Sequence, residues 1–161
     1  MDVAVDKIVI LDFDGVLCQV MCPLHSKPMP CPVWCTSEPT PYQDARSILE
    51  HMYSSGWRIM VASFNYSADD IISKWGWSHM IYDMRCGGTS KFDQILDMLT
   101  SPNSGWCEST EVFFLDDTAE NIVDVARLDH IVHSIKIDPN VGISWKDVAS
   151  IEHHTTPPVE S

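Results

Sequence analysis

The chain has 161 residues, 45% of them apolar, and a formal net charge of −13 at pH 7. This size and apolar share suit one domain with a buried core. The negative balance disfavours nucleic acid or an anionic membrane as the main partner, since both would repel it, and no apolar run approaches the length of a membrane span.

The first residues, Met1-Asp2-Val3-Ala4-Val5-Asp6, lack a basic leader and a long apolar segment. The expectation is an unsecreted, cytoplasmic protein whose six cysteines are reduced thiols. A single domain is expected over residues 1–152, with 153–161 as a flexible tail.

In chain order, Lys7 to Leu11 reads as a first, buried strand, and Asp12-Phe13-Asp14-Gly15-Val16-Leu17 follows directly. Residues 18–40 are rich in Pro and Cys, show no period, and read as a flap after this strand. Thr40, Pro41 and Gln43 carry a Thr-x-x-Gln capping-box signature. The helix it announces has Ala45, Ile48, Leu49 and Met52 at helical spacing and stops at Gly56. A second strand spans Arg58 to Ala62.

A helix from Ser67 to Trp75 follows, with Ser67 and Asp70 as its capping pair and Gly76 as its stop. His79 to Asp83 is a weaker candidate for an edge strand. Phe92, Ile95, Leu96 and Leu99 mark a third helix, and Glu111 to Leu115 a third strong strand. After Thr118 a fourth helix buries Ala119, Ile122, Val125 and Ala126, and His130 to Ile137 is the last strand. Strands alternating with helices predict an α/β fold, three layers deep, around a central, mostly parallel sheet.

Chemistry concentrates where strands end. In an open α/β sheet, ligands bind beyond the carboxyl ends of the strands. The first strand ends in Asp12 and Asp14, which alternate onto the same side. The second runs into Ser63-Phe64-Asn65 and the third into Asp116-Asp117, while Gly87-Gly88-Thr89-Ser90-Lys91 supplies a cation at a helix start. Clustered carboxylates suit one Mg²⁺. Together with a hydroxyl and an ammonium they can neutralise a phosphoryl group. One carboxylate can attack phosphorus and a second can carry the proton.

These residues resemble, in order and setting, the four motifs of the haloacid dehalogenase (HAD) superfamily, over Lys7 to about Ile137. The resemblance implies a HAD-like Rossmannoid fold, with Asp12 as nucleophile and metal ligand. It implies Asp14 as general acid/base, with its carbonyl on Mg²⁺, and Ser63 and Asn65 as phosphate-binding residues. Lys91 would bind the phosphoryl group and balance Asp12, and Asp116 and Asp117 would hold Mg²⁺, Asp116 directly. An acid at position 14 is similar to the phosphohydrolase branch, since the dehalogenases lack it.

The segment Val112 to Leu128, with Asp116-Asp117-Thr118-Ala119-Glu120-Asn121, resembles the eukaryotic magnesium-dependent acid phosphatases. That group acts on phosphotyrosine and sugar phosphates, and in it Asn121 would help fix the acidic loop. It carries an arginine after the motif-two serine, where this chain has Phe64.

Asp12 to Ser63 leaves about fifty positions and Ser63 to Lys91 fewer than thirty. With the predicted elements counted, neither interval holds an independent cap of about forty residues or more. A capless site is expected, open to a phosphorylated small molecule or a phosphoprotein. On the flap, Cys22, His25, Cys31 and Cys35 are zinc-type ligands, but their irregular spacing favours unligated thiols. Met29, Trp34, Trp75 and Trp77 read as packing residues rather than substrate contacts.

The expected function is Mg²⁺-dependent phosphomonoester hydrolysis through an aspartyl-phosphate. Phosphoryl transfer to a non-water acceptor is the alternative within enzymes, and a non-catalytic phosphate-binding module the alternative outside them.

Overall fold

The computed structural model describes residues 5–19 and 39–154. The flap ligands Cys22, His25, Cys31 and Cys35, with Met29 and Trp34, lie outside these residues, as does the tail from 155. Within them are five strands: β1 Lys7–Leu11, β2 Arg58–Ser63, β3 Ile81–Cys86, β4 Glu111–Asp116 and β5 Val132–Lys136. Five helices accompany them: α1 Ala45–Ser54, α2 Ala68–Lys74, α3 Lys91–Leu99, α4 Ala119–Val125 and α5 Trp145–Glu152.

All strands are parallel, in the order β3-β2-β1-β4-β5. Central strands covered on both faces must be apolar on both, and β1 is: Ile8 and Ile10 enter one core, Val9 and Leu11 the other. Residues of α1, α2 and α5 line the core of Val9 and Leu11, and those of α3 and α4 line the core of Ile8 and Ile10. The three layers are therefore helices, sheet, helices. β1 pairs Leu11 with Val61 of β2 and with Leu115 of β4, so three carboxyl ends align at one edge.

Several local expectations change. The capping box at Thr40 does not form, because helix α1 begins only at Ala45, after Asp44. Pro41 instead bridges Cys18, and the Tyr42 N–H donates to the Leu17 carbonyl at 3.0 Å, pulling this stretch beside the turn after β1. Ser67 does precede α2, but its side chain makes no capping bond. Strand β3 starts later than the sequence suggests: His79 lies in a 3-10 turn, Ser78–Met80, which buries Met80 under the sheet.

On α3 the buried stripe is Lys91, Gln94, Ile95 and Met98, with Leu99, and Leu96 is 37% exposed. The amphipathic pattern is displaced because two polar residues occupy its inner face. Ala119 and Ala126 are exposed; α4 ends at Val125 and a 3-10 turn carries Leu128 inward in place of Ala126. Strand β5 is shorter than His130 to Ile137. Helix α5 is unanticipated, although its start is signalled: the Asp147 carboxylate accepts from the Ser144 N–H at 2.9 Å and its hydroxyl at 3.0 Å.

Candidate active site

At the end of β1 the chain keeps alternating. Phe13 continues the side of Val9 and Leu11 into the core and stacks on Trp75, ring centroids 5.5 Å apart. Asp12 and Asp14 therefore turn the other way, toward the layer of α3 and α4, and both are buried. Trp75 and Trp77 pack against each other below Phe13 rather than lining the cleft. Gly15 has φ of 81°, and a Cβ there would lie 2.3 Å from Asp117 Oδ2. Glycine thus allows both the turn and the approach of the acidic loop after β4.

Lys91 is the first residue of α3 and only 1% exposed. Its ammonium donates to Asp12 Oδ1 at 2.9 Å and to the Ala62 carbonyl, and lies 3.6 Å from Asp116 Oδ2. Asp12 Oδ1 also accepts the Phe13 N–H at 2.8 Å. Asp116, at the end of β4, is fully buried. Its Oδ1 accepts the Thr118 N–H at 2.8 Å, and the Asn121 amide donates to both of its oxygens. Neither carboxylate is free to rotate.

Ser63 ends β2 with its hydroxyl accepting the Asn65 N–H at 3.0 Å. Asn65 is engaged on both sides of its amide: Nδ2 donates to Asp14 Oδ2 at 3.4 Å, and Oδ1 accepts the Ser67 N–H at 2.9 Å. Its side chain thus braces Asp14, and, buried and outside the lining of the cleft, it is not placed for the phosphate contact expected of it. Gln94 goes unmentioned by the strand-end reading; its amide donates to the carbonyls of Ser63 and Gly87, fastening two loops to α3. A polar residue on the inner stripe of an amphipathic helix was the available signal for it.

Crowded acids hold their protons more tightly. Burial, and then the charge of Asp12, raise Asp14 to about 7. The same two causes push Asp116 up, opposed by Lys91, and raise Asp117 to about 6. One oxygen each from Asp12, Asp116 and Asp117 lies within 4.8 Å of the others. Such a set of hard, mutually repelling oxygens fits a divalent cation of the Mg²⁺ kind. Asp14 Oδ1 is buried with no hydrogen-bond partner among the described residues.

Above these groups opens a cleft of about 340 Å³, which Asp12, Asp14, Lys91 and Asp117 line. Phe64 and Glu120 stand at it as well, and among its described lining residues Phe64 is the sole apolar one. A larger hollow, about 450 Å³, lies by Glu111, His133 and His154 at the amino ends of β4 and β5, away from this chemistry. No helix among the described residues is long and apolar enough to cross a membrane.

No protein-family model matches the chain, and no curated protein sequence matches it. Solved structures do. A HAD-superfamily hydrolase from Ehrlichia chaffeensis superposes with a TM-score of 0.67 at 12% identity, over 92% of this chain and 96% of that one. A Clostridium difficile protein assigned as a phosphatase gives 0.63 at 16% identity, over 92% of each. A Thermotoga maritima protein assigned as a beta-phosphoglucomutase gives 0.56 at 13%, over 88% of this chain and 99% of the other. At these identities the likeness is one of fold.

Proposed function

Because the chain has the fold of the HAD-superfamily hydrolases, we propose that it is a capless, Mg²⁺-dependent phosphomonoester hydrolase. The observation that carries this reading is the contact of Asp12 with Lys91 at 2.9 Å, beside Asp116 and Asp117. An ammonium at one oxygen leaves the other carboxylate oxygen of Asp12 as the attacking atom. Asp12, Asp116 and Asp117 are the residues to hold Mg²⁺, which when bound supplies positive charge against the phosphoryl oxygens.

Asp12 attacks phosphorus, and the bond from phosphorus to the leaving oxygen breaks. Asp14 gives its proton to that oxygen; a value near 7 suits a group that must be protonated at this moment and basic at the next. In the second half Asp14 takes a proton from water, whose oxygen attacks phosphorus and releases the Asp12 carboxylate. Ser63 and Lys91 bind the phosphoryl oxygens, and Asn65 keeps Asp14 oriented through the 3.4 Å contact. Phosphorylated small molecules or phosphoproteins are the partners in this reading.

The test is hydrolysis of p-nitrophenyl phosphate by the full chain with added Mg²⁺. Activity should disappear with chelator and in Asp12→Asn. A wild-type protein inert toward a broad panel of phosphomonoesters would overturn the reading.

A further inference from the structure

The mouth of the cleft has two features that the chemistry of phosphoryl transfer does not use. The first is Phe64, half-buried, directly after Ser63. Its ring meets the Lys91 ammonium, 4.7 Å from the ring centroid. A phosphoryl group bound by that ammonium therefore has the ring as a neighbour, and whatever is esterified to phosphorus is the next group the ring can reach. The second is Glu120, on the first turn of α4. Among the described residues its exposed carboxylate has no hydrogen-bond or ion-pair partner.

Charge at this mouth is one-sided. Among the described residues Asp12, Asp14, Asp117 and Glu120 line it against Lys91 as the one cation. That cation is already shared between Asp12 and Asp116. Of the four acids, three lie in the phosphoryl site itself. Glu120 is the fourth, and among the described lining residues nothing cationic stands ready for a second anion. In a cleft walled by low-dielectric protein, one such carboxylate is felt across several ångströms.

We propose that Phe64 and Glu120 set the specificity of the cleft, selecting phosphomonoesters with a flat, uncharged or cationic leaving group and rejecting those that carry a second anionic group. Phe64 offers the leaving group an apolar surface, which rewards a ring over a short alkyl chain. Glu120 repels a further phosphate or carboxylate, so bisphosphates and nucleoside polyphosphates bind poorly. The proposal rests on the phosphatase reading and deepens it.

The experiment compares kcat/KM for phenyl phosphate, ethyl phosphate and para-carboxyphenyl phosphate in wild type, Phe64→Ala, Phe64→Tyr and Glu120→Gln, with Mg²⁺ present. Phe64→Ala should lower the value for phenyl phosphate about tenfold while changing ethyl phosphate less than twofold, and Phe64→Tyr should recover most of the loss. Glu120→Gln should raise kcat/KM for the carboxylated ester about threefold or more relative to phenyl phosphate, as removal of one nearby charge predicts. Equal effects on the aryl and alkyl esters, or on the charged and uncharged ones, would overturn the specificity assignment and leave the phosphatase intact. No hydrolysis of any ester by wild type would instead overturn the phosphatase reading, and this assignment with it.

Discussion

Asp124 on α4 accepts the Ser90 hydroxyl at 3.1 Å, and the same oxygen accepts the Phe92 N–H at 3.0 Å. The two bonds bracket Lys91. The residue that must aim an ammonium into the carboxylates is thus clamped from the neighbouring helix, one that begins beside Asp116 and Asp117. Arg127 completes the clamp, donating to the other Asp124 oxygen at 2.6 Å while its guanidinium lies over the Phe92 ring.

Replacing Asp124 by Asn should cost about 1 kcal/mol of stability at neutral pH, the usual worth of a helix cap. Burial pushes the Asp124 carboxyl up, but the bonds from Phe92, Arg127 and Ser90 outweigh it and hold it below its ordinary 3.8. A folded value below the unfolded one means that the contribution is complete above about pH 5 and fades as the pH falls through the folded value. Urea denaturation of wild type and Asp124→Asn should therefore give a difference that is constant from neutrality to pH 5 and narrows toward pH 3. A difference independent of pH would mean that charge is not what the clamp uses.

Lys91 is buried against Asp12 and Asp116. Its replacement by Met leaves two carboxylates without their cation, which should cost about 3–5 kcal/mol, the penalty for breaking a buried pair. Adding Asp12→Asn to Lys91→Met should return about 1–3 kcal/mol of that loss, because contacting residues couple. Both proteins should be inactive, so denaturant melts in the presence of chelator are the measurement. Additive effects of the two substitutions would show that the pair is energetically independent.

Gly15→Ala tests the join between β1 and the acidic loop. The left-handed backbone costs an alanine about 1–2 kcal/mol, and its methyl group would displace Asp117, 2.3 Å away. Wild-type melting temperature should rise with millimolar Mg²⁺, as any ligand of the folded state requires. In the variant the protein should still melt cooperatively in chelator, while the rise with Mg²⁺ falls to less than half. An undiminished rise would separate Asp117 from the metal.

Much of this architecture could be read in the chain because buried parallel strands are written in continuous apolar runs. Lys7–Leu11 and the β2 and β4 runs end where their carboxylates and hydroxyl begin, so the strand-end logic named Asp12, Ser63 and Asp116 together. What escaped it depended on distant partners. Thr40, Pro41 and Gln43 carry a sound helix-start signature, yet the pairing of Pro41 with Cys18 and of Tyr42 with Leu17 draws this stretch away from the helix. Gln94 and Asp124 act across elements, on loops that are remote in sequence, and no local pattern announces such bonds. Leu96 and Ala126 look interior by spacing but lose their positions to Gln94 and Leu128.

The bridge between Cys18 and Pro41 has a consequence for how such a site can diversify. It joins the described chain on either side of residues 20–38 immediately beside Asp14 and Gly15, so the turn after β1 is closed by its own pairing with Cys18. Loop-closure entropy grows only logarithmically, about 0.6 kcal/mol for each doubling of length. A change in the number of residues between Cys18 and Pro41 should therefore cost the fold little. Chain length between these two positions is thus a variable that the fold leaves open beside its acidic turn.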